Sequence, residues 1–86
     1  GGFVDIKSNL DFFFFLYLHT HSVSNICRNL FNFNGNEYNG DYNYVRTIRF
    51  SRYVEERAFN TSHEEAATIA EAQVTANNRG WRIVFD

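Results

Sequence analysis

The stretch FNTSHEEAATIAEAQVTANNRGWRIVFD, residues 59–86, constrains the fold most, because the start, body, stop and exit of one helix are all written in it. Thr61 or Ser62 can cap the helix, and Glu64 or Glu65, three residues on, closes a capping box and places acid at the positive helix end. Ala66, Ile69, Ala70, Gln73, Val74 and Asn77 then recur at helical spacing, while Glu64, Thr68, Glu71, Thr75 and Asn78 fall on the opposite face. Arg79 puts a cation at the negative end, and Gly80 takes the left-handed position that stops a helix. Such a helix spans about 25 Å. Its apolar face is shallow, so it must lie close on a sheet that supplies the bulk. Trp81, Ile83 and Phe85 alternate with Arg82 and Val84 as in a strand with one buried face.

Upstream, Phe3 to Ile6 reads as a short strand or ordered tail, and Phe12 to His19 as a central strand buried on both faces, with a helix from Asn9 or Asp11 as the alternative. Ser22 or Ser24 can cap a helix with the apolar stripe Val23, Ile26, Cys27, Leu30 and Phe31, Arg28 facing out and an end near Phe33 to Gly35. Residues 32–44, NFNGNEYNGDYNY, form a loop with two Asn-Gly turn signals. Residues 44–59 read as two strands breaking near Ser51 and Arg52, because β-branched and aromatic residues dominate. Helix competes there, since Arg52 and Glu56 also make a favourable helical pair.

The order strand, helix, strand, strand, helix, strand is the α+β ferredoxin-like βαββαβ arrangement, two helices on one face of an antiparallel sheet, in a single domain over residues 1–86. Over Leu16 to Phe85 the chain resembles an RNA-recognition-motif domain. LYL stands as first strand, ICRNLFNFNG as first helix and following glycine, FNTSHEEAATIAEA as third-strand end and second helix, and WRIVF as last strand. The resemblance implies base stacking by sheet aromatics. Tyr17 matches the first-strand aromatic and Arg52 the basic opening of the third strand. Tyr53 departs from the family's glycine, and Val54 and Glu56 stand where stackers belong.

Sixteen aromatic residues, ten of them phenylalanine, exceed what so small a core can hide, so rings are expected on the surface. A net charge of -2 argues against a general nucleic-acid coat or an acidic-membrane anchor, while seven of eight cations are arginine, the residue of planar recognition. One cysteine, Cys27, excludes an internal disulfide and points by default to a reduced cytoplasm. Phe12 to Leu18, the most apolar run, is too short to cross a bilayer. The loop's tyrosine, asparagine and glycine match the composition of protein-binding loops. Tyr38, Tyr42 and Tyr44 are therefore candidate anchors, with Arg46, Arg49 and Arg52 beside them, and Tyr17 is the candidate of the nucleic-acid alternative.

Catalytic and metal signatures are sparse. His19 and His21 would share a strand face but lack a third ligand, and the loop's Glu37 and Asp41 do not match a calcium-loop register. The pairs Glu55–Glu56 and Glu64–Glu65 are neighbours that cannot face each other on a helix or a strand. Cys27 lies on an apolar stripe, as an inert thiol would. The expectation is a cofactor-free, non-enzymatic module of inhibitor or adaptor type. Its expected partner is a protein, single-stranded nucleic acid is the alternative, and an exposed sheet edge would also permit a homodimer.

Overall fold

The computed structural model describes residues 6–33 and 46–86. Among these the chain runs β1 (Leu10–Phe12), α1 (Thr20–Arg28), β2 (Thr47–Phe50), α2 (Arg52–Thr61), α3 (His63–Asn78), β3 (Arg82–Phe85). The expected strand at Phe3 to Ile6 and the loop of residues 32–44 fall almost entirely outside the described residues.

The terminal helix and strand form where their signals lie. The Ser62 hydroxyl accepts from the Glu65 amide at 3.1 Å, which satisfies one of the free donors at the start of α3. At the other end the Gly80 amide donates to the Asn77 carbonyl and the Trp81 amide to that of Ala76, the paired bonds of a Schellman stop. Gly80 has φ 87°, the left-handed region that glycine enters without the steric cost of a Cβ. The buried face differs from the expected one. Ile69, Ala72 and Ala76 are buried, whereas Ala70, Val74 and Asn77 are exposed. With alanine on several sides, the helix has little contrast between faces, and its neighbours α1, α2 and β3 decide which side turns inward.

α1 keeps the first part of its expected stripe, with Val23 and Cys27 buried, Ile26 packed beside them and Arg28 facing out to Glu71 of α3, but the helix stops at Arg28 rather than near Phe33 to Gly35, and Leu30 and Phe31 join the core from the segment after it. It starts earlier than expected, capped by the His19 backbone carbonyl without a side-chain cap. The segment after Ser51 is the helical alternative. Ser51 accepts from the Tyr53 amide at 3.2 Å, and Val54 and Ala58, one turn apart, enter the core of α2.

The ferredoxin-like expectation is overturned by the sheet. Its three strands are all parallel in the order β1-β2-β3, and three helices, not two, pack on it. Leu10, Ile48 and Ile83 form one row in register and Phe12, Phe50 and Phe85 the next, both facing the helices. Two crossovers advancing in one direction with the usual right-handed sense deliver their helices to the same face. The opposite face is polar, with Asp11 and Arg49 in register beside Val84. The difference arises at β1. The first strand ends at Phe12, because the Asp11 carboxylate accepts from the Phe13 amide at 2.8 Å and the Phe15 amide turns back to the Phe12 carbonyl. Phe12 to His19 is therefore no central strand; only its first residue belongs to the sheet.

Phe50 lies at the centre of this arrangement, fully buried, with its ring 5.5 Å from that of Phe12 and 5.8 Å from that of Phe85. Phe50→Ala should cost about 3–5 kcal/mol, a large part of the stability of so small a domain. Urea unfolding followed by circular dichroism would show the midpoint falling with little change in slope, or no folded baseline at all.

Candidate functional site

Residues 13–19 leave the carboxyl end of β1 as a loop, and the same edge of the sheet carries Ser51 and the first turns of α2. In parallel sheets ligands bind outside the carboxyl ends of the strands. Here that edge is aromatic. Phe14 is 81% and Tyr17 79% exposed, with Phe15 and Leu16 between them also open to solvent. The loop borders a cleft of about 400 Å³ lined by residues 14–19 and Ser22.

One side chain holds the loop in place. The Arg57 guanidinium donates from Nη2 to the carbonyls of Leu16 at 2.8 Å and Leu18 at 3.3 Å, and from Nε to the Tyr53 carbonyl of its own helix at 3.2 Å. Its carbon centre also lies 5.2 Å from the centre of the Tyr17 ring, a cation–π distance. A planar fork can make these contacts together; a lysine ammonium cannot. Arg52 repeats the theme with its neighbour, 5.2 Å from the centre of the Tyr53 ring and 3.5 Å from its hydroxyl. The Tyr53 contact and nearby Glu56 hold the Arg52 pKa above its ordinary value. Neither arginine has a carboxylate within ion-pair distance among the described residues.

The arginines expected to act together are spread across the sheet. Arg46 precedes the amino end of β2, is buried with φ 72°, and lies 4.0 Å from the centre of the Phe33 ring. Arg49 sits on the open face between Asp11 at 3.0 Å and Asp86 at 3.4 Å, and 4.7 Å from the Phe13 ring centre. Arg52 lies at the carboxyl edge where Tyr17 is presented, and the Arg49 side chain reaches its open-face side through Phe13 and Asp86, whereas Arg46 lies before the amino end of β2. A strand advances about 3.3 Å per residue, so six positions along it cannot form one patch. Tyr38, Tyr42 and Tyr44 lie outside the described residues. Phe14, Phe15, Tyr53 and Arg57 were missed as site residues. The overload of aromatic residues was the available signal, but the run's reading as a buried strand concealed it.

Among the described residues the histidines and Cys27 are not brought together, and Glu37 and Asp41 lie outside them. His19 precedes α1 and His21 lies in its first turn, so they share no strand. No group of three or more His, Cys, Asp or Glu among the described residues is placed to hold a metal ion, and no helix there is long and apolar enough to cross a membrane. Cys27 is buried, and desolvation pushes its thiol from the ordinary 9.0 up to about 12. The small α+β domain with its all-parallel sheet matches no family model, no curated protein and no solved structure.

Two outcomes follow from this geometry. Arg57→Ala should leave the fold intact but speed amide exchange selectively at residues 14–18, read by hydrogen–deuterium exchange against unchanged protection in α3; Arg57→Lys should restore little. For Cys27 the folded thiol keeps its proton where the unfolded one loses it. Stability is therefore fully present below pH 9 and falls as pH rises toward about 12. The slope is at most about 1.4 kcal/mol per pH unit. Denaturant titrations of wild type and Cys27→Ala between pH 8 and 10.5 should show their stability difference shrinking with pH, the tyrosines and Lys7 cancelling between them.

Proposed function

We propose that this domain is a non-enzymatic module that binds a protein partner through the loop of residues 13–18 and the first turns of α2. The observation that carries the reading is the exposure of Phe14, Phe15, Leu16 and Tyr17 in succession on a backbone pinned by Arg57. Small soluble proteins rarely leave a contiguous aromatic patch open without a use for it. Aromatic residues and arginine are the types that anchor interface centres, and a held loop loses less entropy on binding than a free one. On this reading Tyr17 and Arg52 are part of the binding surface.

A nucleic-acid reading through the sheet face is weaker. The face that would stack bases carries Arg49 neutralised by Asp11 and Asp86, and Glu55 and Glu56 are interleaved with Arg52 and Arg57 along α2. Binding of single strands needs a groove with net positive charge beside its rings.

The test compares immobilised wild type with a Phe14→Ser, Tyr17→Ser double variant and with Val74→Ser, a change at an exposed apolar position on α3. A protein retained by wild type and Val74→Ser, then purified and found to bind the loop variant at least tenfold more weakly, supports the reading. Equal retention by all three would overturn it. Salt-sensitive binding of fluorescent single-stranded RNA that is lost in the loop variant would transfer the function to nucleic acid.

A further inference from the structure

Independently of the loop of residues 13–18, we infer that the free edge of β3 pairs antiparallel with the same edge of a second copy, with Val84 on the two-fold axis. β3 is the last strand in the order β1-β2-β3, so among the described residues its outer edge is open. Its hydrogen bonds have a definite phase. The Arg82 amide donates to the Arg46 carbonyl at 2.6 Å and the Asp86 amide to that of Phe50 at 2.9 Å, so Arg82, Asp86 and Val84 between them turn their backbone groups to β2. By the alternation of a strand, the N–H and C=O of Ile83 and Phe85 point the other way, where no described strand receives them.

That phase restricts the register. In an antiparallel pair, outward-pointing residues must stand opposite outward-pointing residues of the other copy. With Val84 on the axis, Ile83 stands opposite Phe85 and exchanges both N–H···O bonds with it, while Val84 forms the close, non-hydrogen-bonded pair with its own counterpart. The side chains agree with this register. A two-fold axis perpendicular to the sheet keeps the helices of both copies on one face, so Ile83 and Phe85, half-buried against the core, continue that apolar face across the junction. On the open face Arg82 stands directly opposite Asp86 of the second copy, and Asp86 opposite its Arg82, at the spacing where opposite charges stabilise a sheet. A shift of one pair of residues either way sets Val84 against a charge and loses both ion pairs.

Both charges are available. Arg82 reaches the Thr47 hydroxyl at 3.4 Å and, among the described residues, no carboxylate within ion-pair distance. Asp86 holds Arg49 at 3.4 Å with its side chain 54% exposed, which leaves room for a second cation. The other edge is no equal. Self-pairing about the middle of β1 sets Asp11 against Asp11, and pairing β1 with β3 is a head-to-tail contact that does not close. A contact confined to one strand edge lies well below the roughly 800 Å² that a standard partner buries, so the dimer is weak, with Kd on the order of 0.1–1 mM.

The experiment follows the full chain by sedimentation equilibrium and by isotope-filtered NMR on a mixture of labelled and unlabelled protein. At about 1 mM a dimer should be present, with intermolecular cross-peaks from the Val84 Hα to its counterpart and from the Ile83 amide to that of Phe85. Arg82→Asp and Asp86→Arg should each weaken association roughly tenfold, because two attractive pairs become repulsive. An equimolar mixture of the two variants should recover it, since each supplies the charge that the other lacks, and that recovery also shows that both variants fold. A chain that stays monomeric at about 1 mM overturns the inference and leaves the edge to a strand from another protein. A dimer indifferent to both charge variants but abolished by Phe14→Ser overturns it in favour of the loop surface. Cross-peaks joining Ile83 to its own counterpart place the strands in another register and overturn it equally.

Discussion

The stacked row Phe12, Phe50 and Phe85 is the contact on which the rest depends. One ring comes from each strand, and the three meet only if the strands run parallel in this register. The row closes the carboxyl end of the sheet against the helices, and Ile48 continues the same buried face toward the amino end. Because the sheet has one covered face, every buried strand residue must be even-numbered along β2, and Thr47 and Arg49 are left outward. That alternation, unusual for a parallel sheet, lets three strands stand with one side in water.

The helices meet this floor with different depths. α3 brings alanines, so it can approach closely and contact α1, α2 and β3 together. Its carboxyl end is tied to the segment after α1: Trp81 Nε1 donates to the Phe31 carbonyl at 2.8 Å, Arg79 Nη1 to that of Leu30 at 3.1 Å, and the Phe33 amide to that of Arg79 at 3.1 Å. The indole is thus buried with its donor satisfied, as burial of a polar handle requires. On the surface, the Arg28–Glu71 bridge adds little, since both side chains are more than half exposed.

The candidate site follows from where the sheet stops. Ending β1 at Phe12 throws the remaining aromatic residues out at the carboxyl edge, and the helix that follows β2 supplies Arg57 to hold them. Core and surface are therefore parts of one aromatic run, divided by the Asp11 turn. Part of the run anchors the sheet; part is exposed to solvent.

Local chemistry was enough for the sequence alone to determine α3 with its cap and stop, the alternation of β3, and the apolar stripe of α1, since capping, glycine geometry and periodicity act within a few residues. The aromatic excess likewise foretold exposed rings. Only tertiary structure decided that the strands are parallel, that residues 52–61 form a helix, that Phe12 ends a strand, and that Arg46, Arg49 and Arg52 part company. Strand direction depends on partners some forty residues away, and residues 52–61 carry both β-branched and helix-pairing signals that only the burial of Val54 and Ala58 could resolve. A run of rings looks alike to its neighbours whether it is core or surface, and the number of covered sheet faces, a property of the whole fold, separates the two.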